Sequence, residues 1–299
     1  TEGENGEPIQ STGTAFANIG VIVIDNETKA IEDNFLQPVS HDEDGTTVYD
    51  IPNDPAVSGY AQEIMDRVNG EYNIVFAESL VDLNGERDPG NRTEETNLGS
   101  LIADAITWTV LKDEGSLKVD TANAVAVVNG GGIRASIAAG SITKKDVNTV
   151  LPFGNTITVV YVTGAELLEA LEASTYCTPT AIGGFPQVAG IEFTVDTSKP
   201  YDSNAETYPA STYYGPASIN RVTINSINGN PFDEDAVYAV ITNDFMAAGG
   251  DTYYAFASST DKFDTGIPLD EAVMAFITDK LGGVVGEEYA EPFGRIHII

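Results

Sequence analysis

Two apolar spacings alternate along this chain, and each change of spacing marks an element. FANIGVIVIDNETKAI at residues 16–31 carries an apolar run to Ile24, a polar turn at Asp25, Asn26 and Glu27, and a second short run, which predicts a β-hairpin. Residues 1–12 before it are polar and glycine-rich and read as a linker. Residues 37–55 after it are acidic and hold three prolines, so a loop is expected. DEDG at 42–45 begins like a calcium loop but lacks the alternating oxygen ligands that end in Glu, and it reads as an acidic turn. From Pro55 the pattern changes: Val57, Tyr60, Ala61, Ile64 and Val68 return at helical spacing.

NIVFAESLV then reads as a strand and NGERDPGNRTEET, at 84–96, as a loop. Leu98, Leu101, Ile102, Ala105 and Ile106 form one face of a helix capped by Thr96 or Asn97. Ala124–Val128 is a fully apolar strand that leads into Asn129-Gly130-Gly131-Gly132. Thr143 with Asp146, and Thr163 with Glu166, have capping-box spacing. They predict a short helix before Leu151 and another through Leu167 to Ala173. The last third is mostly strand-like (VAGIEFTVD, SINRVTINSI, AVYAVITND and GRIHII), interrupted by one helix from Pro268 to Leu281. Helices and strands alternate without a repeat, which predicts an α/β (α+β) domain.

Composition changes the picture in two ways. The 299 residues carry 46 acidic and 14 basic side chains, a formal charge of −32, yet 42% are hydrophobic, so a core can form and disorder is not implied. So few cations argue against a nucleic-acid polymer or an anionic membrane surface as partner. No apolar stretch is long enough to span a membrane. One cysteine, Cys177, excludes an internal disulfide, and two histidines, His41 and His297, are too few for a hydrolytic metal centre of the usual several-histidine kind. GxSxG, HExxH and P-loop motifs are absent from the sequence.

Candidate chemistry concentrates in turn-rich sequence. Arg87 and Arg92 share a loop just before a helix N-terminus, and Arg134 follows the triple glycine. Guanidinium forks there suit an anion, although each arginine also has abundant carboxylates to pair with. Phe153 lies in Leu151-Pro152-Phe153-Gly154-Asn155, and Phe245 precedes a Gly-Gly turn that carries Asp251. Two loop aromatics can clamp a flat heterocycle, at roughly 1–3 kcal/mol per stacked ring, or they can be ordinary core.

The ordered series Glu95-Thr96-Asn97-Leu98-Gly99, NGGGIR at 129–134, LPFGNT at 151–156, GGFPQVAGIEF at 183–193 and NDFMAAGGDTY at 243–253 resembles the C-terminal domain of the 5'-nucleotidase family. That family includes bacterial UDP-sugar hydrolases, 2',3'-cyclic phosphodiesterases and vertebrate ecto-enzymes. The resemblance implies a layered α/β/β/α fold with mixed sheets. It also implies that Phe153 and Phe245 sandwich a nucleobase, that Asn155 and Asn129 contact the base edge, and that Asp251 accepts the ribose hydroxyls. Arg87, Arg92 and Arg134 would hold the phosphate or lie near it, Arg87 in a loop one residue longer than the family spacing.

The family's catalysis belongs to a separate N-terminal metallophosphoesterase domain with two divalent metal ions. Its motifs, such as GNHE and GHTH, are not in this sequence. The resemblance therefore implies a substrate-binding domain at 76–299, a linker helix at 55–75, a remnant of the catalytic domain at 13–54, and no catalytic or metal-binding residue in the chain itself. The expected partners are a nucleotide or nucleoside and the missing metallophosphoesterase domain. The expected parent is an extracellular, cell-wall attached or periplasmic bacterial hydrolase of nucleoside 5'-monophosphates or related esters. The alternative is a non-catalytic secreted or cell-surface nucleoside-binding module.

Overall fold

The computed structural model describes residues 11–13, 17–44, 46–52, 54–112, 117–207 and 214–299. Residues 1–10 of the predicted linker, and Gly45 in the acidic turn, lie outside them. The chain divides into two compact units, Thr1–Val68 and Asn69–Ile299.

In the first unit, β1 (Asn18–Ile24) and β2 (Ile31–Pro38) form the predicted antiparallel hairpin. Asp25 ties its turn, accepting hydrogen bonds from the Thr28 hydroxyl and from the Glu27 and Thr28 backbone N–H groups. The segment expected to be loop contains a second hairpin, β3 (Ser40–Glu43) with β4 (Thr46–Tyr49). Acidic composition obscured this pairing. Alternate residues of a two-stranded ribbon need no apolar partner when both faces meet water, so its strands carry no apolar period. The helix expected from Pro55 is α1 (Pro55–Tyr72), which buries none of its residues and crosses from the first unit into the second.

The second unit continues with β5 (Val75–Ser79), α2 (Asn97–Leu111), β6 (Ala124–Asn129), β7 (Gly140–Thr143), α3 (Lys144–Val150), β8 (Thr156–Thr163) and α4 (Gly164–Ser174). Next come β9 (Pro186–Ala189), β10 (Ile191–Val195), β11 (Ser203–Thr207), β12 (Tyr214–Pro216), β13 (Val222–Ile227) and β14 (Val237–Asn243). It ends with α5 (Asp244–Ala247), α6 (Tyr254–Ser258), β15 (Lys262–Pro268), α7 (Leu269–Ala275), β16 (Val284–Val285) and β17 (Ile296–Ile298). The predicted caps form: Thr96 accepts from the Gly99 N–H, and Thr143 and Thr163 make reciprocal capping boxes with Asp146 and Glu166. The helix expected to run to Leu281 is α-helical only to Ala275, and Phe276–Lys280 follows as a π-helical turn.

A five-stranded mixed sheet, ordered β15-β8-β14-β6-β9, divides two cores. Strand alternation on β6 sends Ala124, Ala126 and Val128 into one core with α2 and α7, and Val125 and Val127 into the other with α4 and the sheet β13-β10-β17. This explains the unbroken apolar run at 124–128: both faces of the strand are covered. VAGIEFTVD, expected as one strand, is two. The chain leaves the large sheet after Ala189, turns at Gly190 with φ +75°, and enters the small sheet as β10. A Cβ at Gly190 would lie 2.8 Å from Asn228 Oδ1 and 3.2 Å from Ala124 O, so only glycine allows the crossing.

Candidate functional site

Sheet topology gathers the turn-rich sequences at one edge. Strands β6 and β14 are parallel neighbours, so Asn129 and Asn243 end them side by side. Strands β8 and β9 run antiparallel to them, so the loops that enter β8 and β9, at 151–155 and 183–185, arrive at the same edge. Ligand crevices of α/β sheets form outside the carboxyl ends of such strands. The loop at 84–96 joins them through Gln187 on β9. Its buried amide donates to Asn91 O at 3.2 Å and Glu94 O at 2.8 Å and accepts from the Thr96 N–H at 3.0 Å. A further bond, from the Ile182 N–H to Arg92 O at 3.1 Å, holds Arg92 against the 183–185 loop.

The cleft at this edge has a volume of about 320 Å³, and seven of the eight predicted site residues line it: Arg92, Asn129, Arg134, Phe153, Asn155, Phe245 and Asp251. Arg87 does not line it, but its charge acts on Arg92 from the same loop. Phe153 is 60% exposed and Phe245 45%, which decides against core packing for either ring. Phe245 lies on Gly250, where a Cβ would come within 2.5 Å of the ring carbons.

A chain of amides sets the position of Asp251. The Met246 N–H donates to Asn243 Oδ1 at 2.8 Å, Asn243 Nδ2 donates to Asn129 Oδ1 at 3.0 Å, and Asn129 Nδ2 donates to Asp251 Oδ2 at 2.8 Å. Asp251 itself has φ +54°, a left-handed backbone that a non-glycine residue holds at a cost and that clusters at ligand sites. Asn129, expected at the base edge, is thus engaged with the carboxylate expected at the ribose. Below the turn, burial pushes the Tyr253 hydroxyl well above its usual range, so it stays protonated and donates to Gly184 O at 2.8 Å. Asn155 Nδ2 donates to Asp244 Oδ1 at 2.7 Å, and its backbone oxygen accepts from the Leu269 N–H at 2.9 Å.

The arginines are the electrostatic feature of the cleft. Among the described residues, Arg87, Arg92 and Arg134 form no ion pair with any carboxylate. Arg134 donates to Gly131 O at 3.2 Å and places its guanidinium 5.7 Å from the Phe153 ring centre. Partial burial lowers the Arg92 guanidinium from its ordinary value, the charges of Arg87 and Arg134 add to this, and Asp251 acts the other way. Among the described residues no group of three or more His, Cys, Asp or Glu side chains converges on a point that could hold a metal. His41 pairs with Asp50 at 2.8 Å and His297 with Glu192 at 3.1 Å.

The sequence profile of the 5'-nucleotidase C-terminal domain matches residues 75–258, more than half of the chain and all of the cleft loops. This chain belongs to the 5'-nucleotidase family. The chain is 36% identical over 232 residues to the trifunctional nucleotide phosphoesterase protein YfkN of Bacillus subtilis, covering 75% of this chain and 14% of that protein. It is 30% identical over 247 residues to the 5'-nucleotidase of Vibrio parahaemolyticus, covering 83% of this chain and 38% of that one. Among solved structures, the 5'-nucleotidase precursor of Thermus thermophilus superposes with a TM-score of 0.64 at 29% identity, over 100% of this chain and 54% of that one. The chain thus spans about half or less of the length of these relatives.

Three residues that support this cleft were not legible from local spacing: Gln187, Asn243 and Asp244. Each acts through a partner 89 or more positions away (Thr96, Asn129 and Asn155 respectively), and no local spacing announces such a pairing. The available signals were polarity in otherwise apolar strands, Gln187 on β9 and Asn243 at the end of β14, and the place of all three within the motifs at 183–193 and 243–253.

Proposed function

We propose that this chain recognises a nucleoside 5'-monophosphate or a related nucleotide ester for a hydrolase of the 5'-nucleotidase type. One observation carries the reading. In a chain with 46 acidic residues, Arg92 and Arg134 line a cleft without a carboxylate partner among the described residues, beside two exposed phenylalanines. Among the described residues Arg295 alone of the six arginines forms an ion pair, so it is the placement of Arg92 and Arg134 in the cleft beside the two rings that favours an anionic ligand. Phe153 and Phe245 offer faces for a base, Asp251 offers a carboxylate to two vicinal ribose hydroxyls, and the guanidinium groups meet the phosphate. Asn129 acts through Asp251 by fixing which oxygen of that carboxylate stays free.

The described residues do not fit a dimetal centre, so the chain is assigned binding and orientation of the substrate and no bond-breaking step. Metal-activated hydrolysis belongs in this reading to the metallophosphoesterase part of a longer parent, as the lengths of the relatives suggest. A location at the cell surface or in the periplasm accompanies it, since the Thermus thermophilus relative is described as a precursor. Among the described residues no helix is long and apolar enough to cross a membrane.

Calorimetric titration of the chain with adenosine monophosphate, adenosine and ribose 5-phosphate tests the proposal. Tightest binding by the monophosphate is expected. Equal binding of ribose 5-phosphate would remove the base-stacking element, and hydrolysis of the monophosphate by this chain with added manganese would overturn the assignment of binding without chemistry.

A further inference from the structure

The proposed nucleotide reading leaves open which base the cleft prefers, and the partner of Asn155 bears on it. We propose that Asp244 is a positioning residue that locks the Asn155 amide, so that the cleft selects bases bearing an exocyclic amino group, adenine and cytosine, over their oxo counterparts. This rests on the cleft being a nucleotide site.

The geometry starts from strand register. Strands β8 and β14 are antiparallel with Ile157 opposite Asn243, which sets the residues just before β8 beside the first residue of α5. Asn155 Nδ2 therefore donates to Asp244 Oδ1 at 2.7 Å, and the Thr156 N–H donates to the same oxygen at 3.3 Å. Asp244 Oδ1 acts as an acceptor toward the Thr156 N–H, so the amide face turned to it must be the NH₂. A flipped amide would set two acceptors against each other. The backbone is held too, since Asn155 O accepts from the Leu269 N–H at 2.9 Å.

With Nδ2 committed, Asn155 Oδ1 is left without a hydrogen-bond partner among the described residues, on a side chain that lines the cleft with Phe153 and Phe245. A fixed acceptor favours a donor on the bound base. Adenine and cytosine carry an amino group beside a ring-nitrogen acceptor, the pair that an asparagine amide matches with its carbonyl and its second N–H. In that register the oxo group of hypoxanthine, guanine or uracil would meet the carbonyl oxygen with a lone pair, and their ring N–H could reach Oδ1 only if the base shifted by one position along the amide.

The test compares adenosine, purine riboside and inosine, which differ at position 6 as amino, hydrogen and oxo, by calorimetric titration of the full chain. The expected order is adenosine, then purine riboside, then inosine, with adenosine about tenfold tighter than inosine. Asp244→Asn gives the introduced amide a donor for Asn155 Oδ1 and permits the flip, and Asp244→Ala removes the anchor. Either is expected to bring the adenosine-to-inosine ratio to within about twofold while both nucleosides still bind, a change that a merely structural role for Asp244 would not produce. Equal affinities for adenosine and inosine in the unaltered chain overturn the proposal. So does a ratio that persists in both variants. The three-ligand series needs no variant, so poor folding of the variants leaves the order of affinities decisive. Absence of binding by all three nucleosides instead overturns the nucleotide reading of the cleft, and the base preference with it.

Discussion

Arg221 and Arg134 belong to the same acid-rich chain and meet opposite fates. Arg221 is 4% exposed, and its guanidinium donates to Thr175 O at 2.8 Å, Tyr176 O at 2.6 Å and Thr178 O at 2.6 Å, closing the carbonyls that follow α4. Beside it, the fully buried Glu172 accepts the N–H groups of Arg221 and Val222. Arg295 is spent in the same way, on Val188 O at 2.7 Å and on Asp104 at 2.8 Å, while Glu95 takes the backbone N–H groups of Phe293, Arg295 and Ile296. In the cleft, Arg134 has one backbone oxygen and an aromatic face, and Arg92 has no ion pair among the described residues. Most interior polar groups are consumed by the chain because an unmet buried donor is costly, although the Arg221 Nε–H has no hydrogen-bond partner among the described residues. Cleft groups keep capacity because water, and then a ligand, can meet it.

This contrast reframes the charge of −32. The long-range field of such a chain opposes an approaching anion, so the proposed recognition of a nucleotide has to come from short-range guanidinium contacts in the cleft.

The largest expected break in the comparison comes from the interior. Glu172→Ala leaves the Arg221 and Val222 N–H groups buried without an acceptor and should cost about 2–5 kcal/mol in denaturant unfolding. The affinity of the folded fraction for adenosine should stay unchanged. A loss of affinity without loss of stability would erase the distinction between the two regions.

Arg92→Gln should do the reverse. Binding of adenosine monophosphate should weaken by about 1.5–3 kcal/mol, the worth of a charge-assisted hydrogen bond, while adenosine binding and the unfolding midpoint hold. Phe153→Ala follows, with about 1–3 kcal/mol lost from adenosine binding and less than about 0.5 kcal/mol from stability, because the ring is already exposed. If calorimetry finds equal losses for adenosine and ribose 5-phosphate, the ring does not stack on a base.

The smallest effect is a pH slope. Burial raises the Asp104 carboxyl from its ordinary value, with Arg295 and the Tyr289 hydroxyl opposing the shift, so the folded chain holds this proton more tightly than the unfolded chain. The resulting penalty is absent below the ordinary carboxylate value and builds as pH rises to the folded one. Asp104→Asn should remove that slope, so the stability of the unaltered chain relative to the variant should fall as pH rises through the window. A flat difference across a series of unfolding curves would show that the site does not titrate there.

Much of the fold was legible because its signals are local. Thr96, Thr143 and Thr163 announce their helices through partners three residues on, and Ala124–Val128 announces a doubly covered strand through composition alone. The β3–β4 hairpin was not legible, since its residues are mostly exposed and carry no apolar period. Neither was the crossing at Gly190, since one glycine within an apolar segment does not say that the chain changes sheets there.

The sequence by itself determined the inventory: two loop aromatics, a carboxylate on a Gly-Gly turn, three arginines near turns, and two histidines. Only the tertiary structure decided which arginines are spent and which remain open, that Asn129 serves Asp251 across 122 positions, and that Asp244 holds Asn155 across 89. The physical reason is that capping and strand alternation are settled within one turn or one strand. Whether a buried donor meets an acceptor depends on which distant strands become neighbours in the sheet, and no spacing in the chain records that.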